Sequence, residues 1–154
     1  MAVKRLVFTQ FLPIPLDEAW AFFASPANLN EITPDDMTFK ITSALPEKMY
    51  EGLIITYQVS PMMNIPLNWV TEITHIRERE YFIDEQRQGP YRMWHHEHHF
   101  REAEGGVVMT DLLYYDVGKW FLGRIASLLF VDRRVRSIFT FREKKLKERF
   151  QDQP

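Results

Sequence analysis

Residues 3 to 12 carry alternating, β-rich side chains and run into Pro13, a pattern that predicts a first strand. The period then changes. Ala19, Trp20, Phe22 and Phe23 form a broad apolar stripe, while Pro15 suits a first helical turn and Asp17 and Glu18 suit its positive end. Ser25-Pro26 breaks that helix, and Pro26 can open a short second one through Leu29 and Ile32 that stops before Pro34. From Met37 onward the period is two, with Met37, Phe39 and Ile41 on one face and Thr38, Lys40 and Thr42 on the other. Strands are predicted at about 37–44, 52–60, 66–77, 80–88, 92–102 and 107–116, punctuated by Pro46, Gly52, Pro61, Gly89-Pro90 and Gly105-Gly106. The stretch from about 120 to 150 has no glycine after Gly123 and places Leu122, Ile125, Leu128, Leu129, Val135, Ile138, Phe139, Leu146 and Phe150 at helical spacings. It reads as one long helix, about 45 Å if continuous.

The order is strand, two short helices, six strands and a long helix. A strongly bent antiparallel sheet of seven strands wrapped round that helix satisfies the layer rule, because the concave sheet face and the helix stripe must bury each other. Nothing resembles a linker, a repeat or a low-complexity tract, so residues 1–154 are expected to form a single α+β domain.

Composition narrows the chemistry. The chain has 154 residues, no cysteine, a net charge of −2, and 12 Phe, 6 Tyr and 4 Trp beside 7 Met. A domain of this size buries roughly 70% of its unfolded surface and needs no disulfide or structural metal. The absence of cysteine removes disulfides, zinc-thiolate sites and thiol nucleophiles together. Near-neutral charge argues against a surface built to track nucleic acid. No run of about 18 apolar residues is present and the start lacks a signal-peptide h-region, so no membrane span and a cytoplasmic location are expected.

The most informative stretch is Gly89-Pro90-Tyr91-Arg92-Met93-Trp94-His95-His96-Glu97-His98-His99-Phe100-Arg101. Alternation puts Trp94, His96, His98 and Phe100 on one face and Met93, His95, Glu97, His99 and Arg101 on the other. The face with both aromatics should point inward. On the next strand Val107, Met109, Asp111, Leu113 and Tyr115 form the more apolar face, where Asp111 is the oddity. If the turn pairs Ala103 with Gly106, His98 lies opposite Asp111 and His96 opposite Leu113; a turn at Gly105-Gly106 instead sets Phe100 against Asp111. Either register keeps Asp111 near His98.

Several readings of that pairing stand side by side. Asp111 and His98 can be a satisfied buried polar pair, or His96, His98, Asp111 and Tyr115 can line a cavity and bind a ligand. His96 and His98 can share a metal with Asp111 as third ligand, though no fourth group is evident. His98 oriented by Asp111 can also serve as a general base, without an accompanying nucleophile motif.

With these residues in view, the chain resembles the SRPBCC superfamily (START, Bet v 1-like and polyketide cyclase domains) from about residue 3 to 150. It is most similar to a bacterial ligand-binding subgroup with strands of the form G-P-[FY]-x-x-W-x-H-x-H-x-F, met here by Gly89, Pro90, Tyr91, Trp94, His96, His98 and Phe100. Further likeness lies at Pro26, Leu29, Ile32, Thr33 and Pro34, at Gly52 and Trp69, at Asp111 and Tyr115, and at Ile138, Phe139, Arg142 and Leu146. The resemblance implies a helix-grip fold. Where related chains often carry proline and glycine before the long helix, this one has Asp116-Val117-Gly118. The catalytic constellation of dehydratase-type members finds no residue-by-residue match, so binding is favoured over catalysis.

The expected function is noncovalent binding of a small hydrophobic or amphipathic molecule, such as a lipid, isoprenoid or polyketide-like compound. Phe39, Trp69, Trp94, Phe100 and Tyr115 would wall the cavity, His96, His98 and Asp111 would orient one polar end, and Arg142 could reach inward to Asp111 or a ligand carboxylate. No cofactor and no metal are assigned, and oligomeric state is left open. Met62 and Met63, between two strands, would suit either a cavity mouth or ordinary packing. One alternative is a cyclase- or dehydratase-type enzyme with the His98/Asp111 pair moving a proton and Tyr115 donating a hydrogen bond. Another is an interaction module using residues 133–149, which hold eight basic and two acidic side chains.

Overall fold

The computed structural model describes residues 3–37, 39–60, 66–118 and 124–151. Met62 and Met63, and the expected start of the long helix at 120–123, lie outside the described residues. The elements are β1 (Lys4–Leu12), α1 (Leu16–Phe23), a 3-10 helix (Pro26–Ile32), β2 (Phe39–Ile41), β3 (Ile54–Val59), β4 (Leu67–Arg77), β5 (Tyr81–Gln88), β6 (Met93–Ala103), β7 (Gly106–Asp116) and α2 (Arg124–Phe150). The strands form one curved antiparallel sheet in the order β1-β7-β6-β5-β4-β3-β2, the helix-grip arrangement.

Local chemistry explains most boundaries. Pro15 stands one position outside α1 as its N-cap, and Asp17 and Glu18 occupy the first turn. Asp17 also pairs with Arg79 at the β4–β5 turn, 2.6 Å away. The expected strand at 37–44 shrinks to three residues because Met37 N–H closes a turn onto the Pro34 carbonyl and β2 has β3 as its single neighbour. Gly105 takes φ +78° in the β6–β7 turn, and Gly106 lies so close to Leu12 that a β-carbon there would meet its carbonyl oxygen. Gly118, at φ +70°, supplies the left-handed turn after β7.

The β6–β7 turn sets the register at the centre of the sheet. Ala103 pairs with Gly106, so His98 faces Asp111 and His96 faces Leu113. Inward residues of β7 are buried at every second position from Val107 to Tyr115. The helix α2 packs on this face through Val131, Val135 and Phe139, the last stacked on Phe8 with ring centroids 4.1 Å apart. At the other end α1 lays Trp20 edge-on to Phe82 and Phe100, and Leu146 of α2 joins the same cluster.

The basic run on α2 is largely matched by acids. Arg134 meets Asp36, Arg136 meets Asp132, Lys147 meets Glu143, Lys145 meets Glu148 and Arg149 meets Glu31. No helix among the described residues is long and apolar enough to cross a membrane.

Asp132 fastens the first turns of α2 to β7 and to the edge strand β1. It accepts a hydrogen bond from Tyr115 Oη at 2.7 Å and pairs with Lys4 of β1 at 3.2 Å and Arg136 at 3.1 Å. Burial opposes its charge, but these three donors outweigh that and hold the carboxyl below its ordinary range. Stability from such a group is complete above the unfolded value near pH 4 and is lost as pH falls through the folded value. Asp132→Asn should therefore lower stability by about 1–2 kcal/mol at pH 7, and the deficit should shrink in urea titrations below about pH 4. A deficit that stays constant to pH 3 would refute this role.

Candidate functional site

Three adjacent strands bring four ionisable side chains to the same concave face. In the β5–β6–β7 register, Asp84 faces His96 and Phe82 faces His98, while His98 faces Asp111 on the other side. The result is a compact array, Asp84 and His96 in one row, His98 and Asp111 in the next. Arg142 descends on it from α2, its guanidinium 5.1 Å over the Phe139 ring and Nη1 3.6 Å from Asp111 Oδ1.

The hydrogen bonds run diagonally across this array. His96 Nε2 donates to Asp111 Oδ1 at 2.9 Å, and His98 Nε2 bonds Asp84 Oδ2 at 2.8 Å. His98 Nδ1 is also 2.9 Å from Asp111 Oδ1, but off the line that a hydrogen bond requires, and it has no bonded partner. The expected His98–Asp111 pair is thus present as a close contact, while the aligned hydrogen bond to Asp111 comes from His96. The reason is packing: the His98 ring stacks on Phe82, centroids 4.1 Å apart and 18° from parallel, which turns Nε2 toward Asp84.

Burial penalises charge on every member, so the neighbours decide the protonation. The His96 hydrogen bond, the close approach of His98 and the Arg142 charge hold the Asp111 carboxyl far below its ordinary range, and the His98 hydrogen bond with the charges of His96 and Arg142 lowers Asp84. Burial and the adjacent His98 push His96 down, which leaves it a neutral donor. For His98 burial also acts downward, yet contact with the two carboxylates outweighs it and raises the value.

These groups close one end of a cavity of about 190 Å³. Asp84, His96, His98 and Arg142 contribute its polar end, and Asp111 sits behind them, outside the wall. The remainder is apolar, from Ile55, Tyr57 and Val59 of β3, Trp69 of β4, and Phe22 and Leu29 of the short helices. Trp69 stands edge-on to Trp94 at 5.3 Å and near Tyr91 at 5.6 Å, forming an aromatic corner. Burial raises the Tyr57 phenol, so it remains a protonated hydroxyl.

Of the residues singled out in the sequence, Phe39, Trp69, Trp94, His96, His98 and Arg142 line the cavity. Phe100 and Tyr115 do not. Phe100 packs with Trp20 and Phe23 in the core beside α1, and the Tyr115 hydroxyl is committed to Asp132, away from the polar end. The proton-transfer arrangement with Tyr115 as donor therefore has no geometric basis. Asp84 was missed, although Phe82, Asp84 and Gln86 alternate with Tyr81, Ile83 and Glu85 and place a carboxylate on the same face as Phe82. On the convex face His95 pairs with Glu85 and Glu97, and His99 with Glu97.

No protein-family model matches the chain, and no curated protein does. Solved structures are similar over nearly its whole length. Protein Ms6760 from Mycobacterium smegmatis is 18% identical, with 96% of this chain and 95% of that one covered and a TM-score of 0.68. Ara h 8.0201, a Bet v 1 homologue, is 14% identical over 96% and 99% of the two chains, with a TM-score of 0.60. The di-domain ARO/CYC StfQ from the steffimycin biosynthetic pathway gives a TM-score of 0.73 at 10% identity, and this chain, covered to 97%, spans 52% of it. Likeness at such identities defines the fold alone: the chain has the helix-grip fold seen in Ara h 8.0201 and in StfQ.

The unequal satisfaction of the buried charges yields a stability order. Asp111→Ala strands the His96 donor and removes a countercharge, and should cost about 3–5 kcal/mol. Arg142 is 9% exposed, yet its Nε and Nη1 have no hydrogen-bond partner, with Nη1 only 3.6 Å from Asp111. Arg142→Met should therefore cost less than half as much in urea unfolding. Equal losses would mean that Arg142 is chiefly a structural cation.

Proposed function

We propose that this protein binds a compact amphipathic molecule, its apolar body in the cavity and an anionic, oxygen-bearing end at Arg142. The observation that carries this reading is the guanidinium itself. A buried arginine at the polar end of a largely apolar cavity, with Nε and Nη1 lacking hydrogen-bond partners and Asp111 standing 3.6 Å from Nη1, leaves a desolvation cost that a ligand carboxylate or enolate would relieve. Hydrogen-bonded buried polar groups are the rule, and exceptions mark sites where something else binds.

The cavity limits the body. An apolar cavity on the order of 150 Å³ accommodates benzene, so about 190 Å³ suits one or two rings better than a long acyl chain. Trp69, Trp94 and Tyr91 would meet such rings edge-on or offset. The same fold carries the polyketide cyclase StfQ, which makes ring-bearing molecules the first class to test.

2-Naphthoate and 2-naphthamide separate the anionic end from the body. The wild-type protein should bind the acid at least about tenfold more tightly in calorimetry, the worth of a charge-assisted hydrogen bond. Arg142→Met should erase that preference, and Trp69→Ala should weaken both compounds. Equal affinity for acid and amide in the wild type, or no saturable binding of either, would count against the proposal.

A further inference from the structure

We propose that Asp84, His96 and His98 form a binding site for a divalent transition-metal ion such as zinc, cobalt or nickel, with Asp111 as the supporting outer carboxylate. Asp84 Oδ2 lies 2.8 Å from His98 Nε2 and 3.5 Å from His96 Nδ1, and one donor atom from each residue falls within 4.8 Å of the others. Donors bound about 2.0–2.2 Å from one ion stand roughly 3–3.5 Å apart, so the three need only small shifts to share one.

The outer shell points the same way. A metal-bound histidine characteristically offers its second nitrogen to a carboxylate, which fixes the ring and strengthens the ligand. Here Asp111 Oδ1 serves both rings: it accepts from His96 Nε2 at 2.9 Å and lies 2.9 Å from His98 Nδ1. His96 thereby keeps Nδ1 for a metal, and His98 keeps Nε2. The inner trio lines the cavity whereas Asp111 stands behind it, so any remaining coordination position opens toward the cavity. The His98 Nδ1 contact with Asp111 is close but off line, so this half of the outer shell is an approach that a small turn of the ring would complete.

Charge and ligand chemistry set the class of ion. Two carboxylates against Arg142, with neutral histidines, leave one net negative charge for a dication. Two imidazoles and one carboxylate suit zinc, cobalt, nickel or ferrous iron, while magnesium and calcium call for oxygen ligands. An ion held here would displace the proton shared by His98 and Asp84. This inference stands apart from the ligand reading, because metal uptake needs no organic molecule and does not use the Arg142 donors.

The test is titration of the chelator-treated protein, residues 1–154, with cobalt(II) and zinc(II) at about pH 7.5. One equivalent should bind, with visible cobalt d–d absorption and a rise in thermal midpoint that magnesium does not produce. His98→Gln and Asp84→Asn should each weaken affinity at least 100-fold, and Asp111→Asn by about 10–100-fold. His95→Gln and His99→Gln, on the convex face with Glu85 and Glu97, should leave binding unchanged. Circular dichroism establishes which variants keep the native fold, and if Asp84→Asn does not, His98→Gln and His96→Gln decide. No stoichiometric uptake, or uptake lost with His95 and His99 and kept without His98, would overturn the proposal and leave the cluster as an internal charge network.

Discussion

A carboxylate in the middle of a buried strand sets the terms for this molecule. Asp111 interrupts the inward face of β7, between Met109 and Leu113, and is 6% exposed. Left alone, an ionised carboxylate there would cost more than the whole domain's margin of stability. The neighbouring strand and the long helix each contribute to its answer: His96 and His98 from β6, Arg142 from α2. That requirement fixes the β6–β7 register, because a one-residue slip would turn both histidines to the convex face and strand Asp111 among apolar neighbours. It also fixes the seat of α2, whose Phe139 must stack on Phe8 for Arg142 to arrive one turn later.

The compensation is incomplete in a directed way. His96 and Asp84 are satisfied, while one nitrogen of His98 and two of Arg142 are not, and all of these groups except Asp111 reach the cavity. A core evolved only for stability would be better served by apolar side chains at these positions. The rest of the cavity is walled mostly by aromatic and branched side chains from β3, β4 and the short helices, with polar atoms such as Trp69 Nε1 and Asn28 Nδ2 already paired within the protein. Apolar walls give a bound molecule its affinity and the charged end gives it an orientation. The ligand reading rests on the unbonded donors of Arg142, and the metal reading on the convergence of Asp84, His96 and His98.

Much of this was legible in the sequence, because strand alternation is a strong signal where one face is buried. The order of elements, the inward set Trp94-His96-His98-Phe100 and the nearness of Asp111 follow from period-two reasoning and a glycine turn. Arg142 was found one helical turn beyond Phe139. What escaped were facts of placement along the strands and across them. Phe100 and Tyr115 lie on the correct face, but the cavity occupies only part of the concavity: α1 covers Phe100, and the first turns of α2 cover Tyr115 through Asp132. Asp84 escaped because β5 mixes Asp, Glu and Gln, so its burial pattern is weak, and because β4 carries bulges between Val70 and Thr71 and between Ile73 and His75 that no alternation announces. The exchange of hydrogen-bonding partners between His96 and His98 depends on the tilt of one ring against Phe82, which spacing alone does not determine.

The central claim is that a buried, incompletely bonded cationic end makes this cavity a receptor for a compact anionic molecule. Native mass spectrometry of freshly purified protein addresses it most directly, because it reads what the cavity holds before any candidate is chosen. The account predicts a stoichiometric small-molecule adduct bearing an acidic group, present on the wild type and absent from folded Arg142→Met. An adduct kept in full by Arg142→Met, or one without an acidic group, would contradict it.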